Sequence, residues 1–570
     1  MKQEQMTGSQ ILLETLMAEG VDTIFGYPGG SIMPVYDKLY DYKDKLRHIL
    51  VRHEQGAIHA AQGYARTKGF PGTVIVTSGP GATNVLTGVA DAMVDSTPVV
   101  VIAGQVSSNL LGTDAFQETD LIGMTNPITK WSYQIRRTED IAWAVSRAYF
   151  IASTGRPGPV VLDFTKDAQV GKAEFKYEKC NFIRSYISKP VLSESKIDEA
   201  VKMLDASERP FVLYGQGILQ SGAEKELAAL LEKGDIPAGS TLLGLSALPS
   251  DDPHFKGMLG MHGSIASNVL SQQADLILAV GMRFDDRVTG KLDSYCKDAK
   301  IIHIDIDPSE LGKNVAVDLG IVADAKEALA ALAAKMPRKE RKAWLESDKH
   351  CQQIEMEKVI LPETKGTGDT INPGEVVATV AEVCGQDAII LTDVGQNQML
   401  GARYSRFKRS RSFISSGGLG TMGFGIPATI GAKVAAPDRK VCLFVGDGGF
   451  QMTIQELGTI MQEQLGVKLV LLNNNWLGNV RQWQELFFKE RYSATRMINP
   501  DFEKIAQAYG IERVLVEKRE DLRPAVERMF ADDKPFILDV HITEENMVFP
   551  MVPPGKAVSE IMLNAKEWYK

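Results

Sequence analysis

An α/β protein of three domains, each a parallel sheet flanked by helices, is the fold this sequence predicts. Three observations carry it. Short β-branched runs alternate with apolar-periodic stretches of helical length. The runs end in Gly, Pro, Ser or Asp before the next helix begins. The length, 570 residues, holds about three domains at roughly 100–200 residues each.

In residues 1–170, QILLETLMAEG reads as a helix, VDTIFGY as a strand and EQGAIHAAQGYART as a helix. TVIVTSGPG follows as a strand, ATNVLTGVADAMVD as one helix and PVVVIAG as a buried strand. Turns at the strand ends of such a sheet line a crevice. The polar, strand-poor stretch KAEFKYEKCNFIRSYISKP predicts a linker over 171–190. The second domain, 191–345, has its clearest strands at FVLYGQG, ADLILAVGMRF and KIIHIDID. Its AKEALAALAAKMPRKERKAW segment reads as one helix with a solvated basic end. CQQIEMEKVILPETKGTGD predicts a second connector, 346–370. In the third domain, 371–550, the strands are DAIILTDVG, KVCLFVGDGG, VKLVLLNNN and KPFILDVHI. First and third domains share a rhythm without a residue-level repeat. The Pro- and Met-containing tail, 551–570, is a candidate lid.

Lys+Arg 63 against Asp+Glu 72 gives a net charge of −9, the wrong sign for gripping nucleic-acid backbone or anionic lipid. The basic cluster RYSRFKRSR therefore reads as a solvated or interface surface. Cys180, Cys296, Cys351, Cys384 and Cys442 are scattered and odd in number, which suggests neither a disulfide framework nor a zinc knuckle. The N-terminus lacks an apolar signal region and no run has membrane-span length. The expectation is a soluble cytoplasmic protein with small-molecule partners, no nucleic acid and no membrane.

The strongest chemical signal is VGDGGFQMTIQELGTIMQEQLGVKLVLLNNN. A strand runs into Gly446, Asp447 and Gly448, a helix crosses over, and a second strand ends beside Asn474. One βαβ unit would place the oxygens of Asp447 and Asn474 at neighbouring strand ends. Two hard oxygen ligands suit Mg²⁺, whose other positions take water and phosphate oxygens. Flanking glycines let a diphosphate approach the backbone. The same pattern also reads as two plain strand-end turns, and Glu54 in RHEQGA, taken alone, as a solvated carboxylate matched to a helix dipole.

The chain is nevertheless similar throughout to one family. GYPGGSIMPVYD (26–37), RHEQGA (52–57), TSGPGATN (77–84), AFQETD (115–120) and GRPGPVVLDFTKD (155–167) carry the likeness in the first domain. LGMHG (259–263) and GMRFDDRVTGKL (281–292) carry it in the second, and GLGTMGFGIPA (418–428), GDGGFQM (446–452) and NNNWLGNVRQWQELFF (473–488) in the third. In this order they resemble the catalytic large subunits of the acetohydroxyacid synthase (acetolactate synthase) family of thiamine-diphosphate-dependent enzymes. The resemblance implies a pyrimidine-binding, a central FAD-binding and a diphosphate-binding domain, in that order.

It also implies roles. Glu54 resembles the carboxylate that activates thiamine diphosphate; Asp447 and Asn474, with the carbonyl of Trp476, resemble the Mg²⁺ ligands. Met422 is similar to the residue that wedges the thiamine into its bent form. Pro80, Asn84, Gln396, Gln398, Gly446, Gly448, Gly449, Leu477 and Gly478 match further thiamine-diphosphate contacts. Phe116, Gln117 and Lys166 resemble residues of the substrate channel, and Arg287 with Trp483 the pair that recognises the second oxo acid. Arg156, Gly215, Gly217, Thr241, His262, Gly281, Arg283, Asp285, Asp305 and Asp324 match FAD contacts, the flavin's role being structural. The implied reaction decarboxylates pyruvate and transfers its hydroxyethyl unit to pyruvate, giving 2-acetolactate, or to 2-oxobutyrate, giving 2-aceto-2-hydroxybutyrate. That is the first common step of valine, leucine and isoleucine biosynthesis. A homodimer or homotetramer with sites shared between subunits, and a small regulatory subunit, are implied partners. A catabolic acetolactate synthase and a pyruvate-oxidase-like flavin oxidoreductase stand as alternatives. One departure is Asn479, where many members carry Met.

Overall fold

A computed structural model describes residues 5–366 and 368–567. Three six-stranded sheets, all parallel, stand at its centre. The first orders its strands Arg47–Leu50, Thr23–Gly26, Gly72–Val76, Val99–Gln105, Pro159–Thr165, Trp131–Ile135. Every residue of Val99–Gln105 and of Pro159–Thr165 is buried, because helices cover both faces; this is why these strands read as unbroken apolar runs. In order of appearance the sheet runs 2-1-3-4-6-5. The third sheet repeats that order with Phe413–Ile414, Ile389–Thr392, Val441–Gly446, Val467–Asn473, Phe536–His541 and Glu512–Val516. The shared rhythm of the two domains is thus a shared topology.

The middle sheet differs. Its order is Phe255–Met258, Ala238–Ser240, Pro210–Tyr214, Leu276–Val280, Lys300–Asp305, Leu319–Val322, or 3-2-1-4-5-6. That is the doubly wound arrangement, in which a ligand crevice opens where the order reverses, here between Pro210–Tyr214 and Leu276–Val280. The topology is that of a dinucleotide fold although YGQGILQSG lacks a full glycine fingerprint.

Domains one and three share a hydrophobic core that runs from Phe25 and Ile58 to Phe424 and Leu443. Its seam is helix Glu54–Lys68 against helix Gly425–Ala435. A Cβ on Gly63 would lie 2.0 Å from the Ala428 carbonyl oxygen, and one on Gly431 1.8 Å from that of Ala60. The two backbones touch, and only glycine admits that.

Several elements depart from expectation. The helix read through AKEALAALAAKMPRKERKAW is Ala325–Lys335, with Met336 in extended backbone. Pro337 imposes that conformation on its predecessor; a short helix, Lys342–Leu345, follows. ATNVLTGVADAMVD is split into Pro80–Thr83 and Leu86–Val94. The linker over 171–190 opens with strand Lys172–Glu174, antiparallel to Gln5–Thr7. The connector over 346–370 is mostly helical, Lys349–Glu355 running through a π-helical turn, Met356–Ile360, into Leu361–Thr364. It docks on the middle domain where Glu355 accepts the Ile265 N–H at 2.8 Å. The tail lies against the protein body: Met551, Val552 and Val558 are buried, and Ala557 pairs with Gly290. No helix among the described residues is long and apolar enough to cross a membrane.

Candidate active site

At the end of the third sheet, Gly446 stands beside Leu472 on the adjacent strand, so the next residues, Asp447 and those up to Asn474, emerge side by side. Asp447 and Asn474 are buried. The Asp447 Oδ1 accepts from the Gly448 N–H at 3.0 Å and its Oδ2 from Asn499 Nδ2 at 2.6 Å. No cationic side chain pairs with Asp447 among the described residues, and burial raises its pKa. Asn474 Oδ1 accepts the Trp476 N–H at 3.2 Å. Two guanidinium groups lie near the Trp476 ring, Arg481 at 5.4 Å and Arg496 at 5.1 Å from its centre.

Asn499 was not legible as a site residue. Its amide lies within 3.1 Å of Asp447 Oδ2, Asn473 Oδ1 and Asn475 Oδ1 at once. Asp393 was also missed: fully buried, it accepts the Gly423 and Gly425 N–H groups and packs under Gly449. A Cβ on Gly448 would sit 2.6 Å from Leu477 and 3.5 Å from Met422 Cε. Met422 therefore stands over the Gly448 backbone. Gln396 closes the same corner, a Gly478 Cβ falling 2.4 Å from its Oε1. Gln398 points elsewhere, to Ser415 Oγ at 2.6 Å.

These residues fit a magnesium diphosphate. A buried carboxylate without a cation and a buried amide oxygen are hard donors. No cluster of three or more His, Cys, Asp or Glu suited to a metal occurs among the described residues. The remaining ligands would have to be a carbonyl such as that of Trp476, water and phosphate oxygens.

Glu54 opens helix Glu54–Lys68, and His53 caps it by accepting the Gln55 N–H; His53 is structural. The Arg52 and His53 N–H groups both donate to Glu456 at 3.0 Å, which ties this turn to the third domain. Asn84 Nδ2 donates to Glu54 Oε2 at 2.9 Å, and a Gly81 Cβ would stand 3.4 Å from Oε1. Gly79, with φ +54°, turns the chain into Pro80. Gln117 packs on that turn with φ +59°, a left-handed backbone uncommon for a side-chain-bearing residue. Phe116 beside it is 87% exposed. Lys166 starts helix Lys166–Val170 with Nζ 3.4 Å from the Gly30 carbonyl.

A cavity of about 920 Å³ occupies the middle domain's crevice and the adjoining faces of the other two domains. Of the ten residues matched to FAD, all but Gly215 line it. Gly215 sits behind: its Cβ would fall 2.5 Å from the Gly281 carbonyl, and one on Gly217 2.6 Å from Gly281 Cα. Three glycines thus let two strand ends close on each other. Asp285 and Asp324 have a second task, capping Asp286–Thr289 and Ala325–Lys335. Arg156 bonds Glu310 at 2.7 Å. Burial pushes the Asp305 carboxyl up to about 7 and the His262 imidazole down to about 3. Thr241 and Arg283 complete the wall. The volume, the glycine-lined strand crossing and the strand order fit a dinucleotide such as FAD.

Arg287 and Trp483 meet at the rim, the guanidinium 5.8 Å from the ring centre. Arg287 also pairs with Asp286 at 3.5 Å. Asn479 lies one turn before Trp483 and lines the cavity; its Oδ1 has no hydrogen-bond partner among the described residues.

Comparison with known proteins agrees with this geometry. Models of the thiamine pyrophosphate enzyme match as the N-terminal TPP binding domain over residues 6–124, the central domain over 197–332 and the C-terminal TPP binding domain over 393–540. Fold and strand-end cluster thus define the thiamine pyrophosphate enzyme class. The acetolactate synthase large subunit of Lactococcus lactis subsp. lactis (strain IL1403) is 44% identical over 98% of this chain and 96% of its own. Acetolactate synthase isozyme 2 large subunit of Escherichia coli (strain K12) is 42% identical over 98% and 99%. Acetolactate synthase 2, chloroplastic, of Nicotiana tabacum is 43% identical over 98% and 85%. The chain belongs to the acetolactate synthase large-subunit family.

Proposed function

We propose that this chain is the catalytic subunit of a biosynthetic acetohydroxyacid synthase that holds thiamine diphosphate, Mg²⁺ and FAD. It decarboxylates pyruvate and joins the two-carbon unit to pyruvate or 2-oxobutyrate. The observation that carries the cofactor chemistry is Asp447, a buried carboxylate without a cationic partner among the described residues, emerging beside Asn474. Bound thiamine diphosphate supplies a nucleophilic carbon and an electron sink.

Asp447, Asn474 and the Trp476 carbonyl would hold the metal that neutralises the diphosphate. Met422, standing over Gly448, shapes the space next to it. Asn84 fixes Glu54 through Oε2, leaving Oε1 to hold or pass a proton. Arg287 offers a fork for the second substrate's carboxylate, and the Trp483 face packs its alkyl group. Gln117 and Lys166 flank the entry. The flavin serves as a structural wedge between domains. Assembly with a second copy and with a small regulatory subunit belongs to the same reading, as does a cytoplasmic setting; the family names of relatives support a large-subunit role.

A product assay tests it. Pyruvate alone should yield acetolactate, and added 2-oxobutyrate should divert product to 2-aceto-2-hydroxybutyrate. Flavin bleaching by pyruvate at the turnover rate, without acetolactate, would overturn the reading in favour of oxidase chemistry. Glu54→Gln should lose about 10²–10⁴ in kcat.

A further inference from the structure

A buried charged cluster lies between the large cavity and Met422. Asp91 and Asp95 sit one helical turn apart at the end of Leu86–Val94, both fully or nearly buried. Asp91 Oδ1 accepts from Ser416 Oγ, and from Thr421 Oγ1 at 3.0 Å. Asp95 accepts the Gly417 and Gly418 N–H groups at 2.9 and 2.7 Å. Arg66 pairs with Asp95 at 2.8 Å and also donates to the Ser415 carbonyl. The first domain thereby grips five of the seven residues of the third-domain segment 415–421. One side of that segment faces the cavity, which Gly417, Gly418, Leu419 and Gly420 line. Its end leads straight into Met422.

The segment's three glycines, Gly417, Gly418 and Gly420, give it little stiffness of its own. Without Asp91 the Ser416 and Thr421 hydroxyls lose their shared acceptor, and the hydrogen bond from the Thr421 N–H to Ser416 Oγ at 2.8 Å is left as the main closure of the loop. Beyond Met422, Asp393 pins Gly423 and Gly425, so the segment is held firmly only if both ends are tied. Arg66 pairs with Asp95 and not with Asp91, and burial raises the Asp95 pKa despite Arg66; Asp91 relies on the two hydroxyl donors at Oδ1, its Oδ2 being buried without a hydrogen-bond partner among the described residues.

We propose that Asp91, with Asp95 and Arg66, is a positioning residue that transmits the filling of the cavity to Met422 through the 415–421 segment. A ligand packed against Gly417–Gly420 then improves the fit of thiamine diphosphate at Gly448 without any electron transfer. The inference rests on the reading that this cavity takes FAD.

The test is a binding titration of the full chain, independent of turnover. Tryptophan fluorescence follows thiamine diphosphate binding with Mg²⁺, with and without saturating FAD. In the parent chain, FAD should lower half-saturation by about fivefold or more. In Asp91→Asn the coupling should fall below about twofold while FAD still co-elutes on gel filtration. Thr421→Val, which removes one hydroxyl only, gives the same reading should Asp91→Asn fail to fold. Full coupling in the variants, or none in the parent, overturns the proposal alone. A parent chain that retains no FAD overturns the reading of the cavity as well.

Discussion

The Arg287 guanidinium lies 5.8 Å from the centre of the Trp483 ring at the rim of the large cavity. Arg287 is at the same time half exposed and 3.5 Å from Asp286, which lines the same cavity, so the indole and the ion pair together hold it. A cation over an aromatic face contributes about 0.5–1 kcal/mol at exposed sites. Trp483→Leu removes both this contact and the flat surface for an extra methyl group. One methylene in a pocket discriminates by about 10–200-fold. On the proposed function, Trp483→Leu should therefore lower the yield of the 2-oxobutyrate product relative to acetolactate by at least about tenfold in competition. Arg287→Lys should raise KM for both acceptors and leave that ratio largely intact, since the carboxylate is common to them.

The metal corner yields a second prediction. Asn499 Nδ2 has two protons and three acceptors within 3.1 Å, so Asp447, Asn473 and Asn475 share them. Asn499→Ala should loosen Asp447 and raise the Mg²⁺ concentration for half-maximal activity by about tenfold, the lower end of the effect of removing an outer-shell partner. Asn499→Asp adds a like charge beside Asp447 and should be worse. Mn²⁺ binding followed by electron paramagnetic resonance separates this from a loss of fold.

How far the site was legible follows from what each residue does. Asp447 and Asn474 flank one crossover, so their spacing in the chain is short and their types are chemically telling. Strands buried on both faces announce themselves as apolar runs. Asn499, Asp393 and Asp91 left no trace: each acts on a partner that only the tertiary fold brings near, 52 residues away for Asn499 and Asp447 and 325 for Asp91 and Ser416. The helical content of the connector over 346–370 stayed open in the sequence; it runs from Lys349–Glu355 through a π-helical turn into Leu361–Thr364. The dinucleotide topology of the middle domain was hidden for a related reason. Its close approach uses glycines from two separate strand ends, Gly217 in the helix that follows Pro210–Tyr214 and Gly281 just after Leu276–Val280, instead of one contiguous fingerprint.

Asp305 makes stability depend on pH. Burial moves its carboxyl from 3.8 to about 7, so between those values the folded chain keeps a proton that the unfolded chain has released. The stability this contributes is complete below about pH 4 and is lost as pH rises through about 7. In FAD-free protein this one group contributes a fall in stability across pH 5–7 on the order of 1–3 kcal/mol, against the opposite slope of the buried His48, His59 and His262, whose imidazoles burial pushes down. Asp305→Asn should remove that contribution, so that in denaturant unfolding its stability relative to the parent chain rises across pH 5–7 and exceeds it at pH 8.

The seam between the first and third domains gives the sharpest structural test. A methyl group on Gly63 would meet the Ala428 carbonyl oxygen at 2.0 Å. Both atoms belong to helices, Glu54–Lys68 and Gly425–Ala435, and neither can rotate away as a side chain would. The helices must separate by more than an ångström, which opens the core shared by Ile58, Phe424 and Ala428. Ala is the better helix former by about 1 kcal/mol, so propensity alone predicts that Gly63→Ala stabilises. Overpacking costs about 1–3 kcal/mol or more, and with backbone on both sides it should win. Gly63→Ala should therefore lower the midpoint of thermal unfolding and weaken thiamine diphosphate binding, because Glu54 and Met422 ride on the two displaced segments. Gly30→Ala is the control. A Cβ there meets nothing within 4 Å, and its unfolding midpoint should stay close to that of the parent chain.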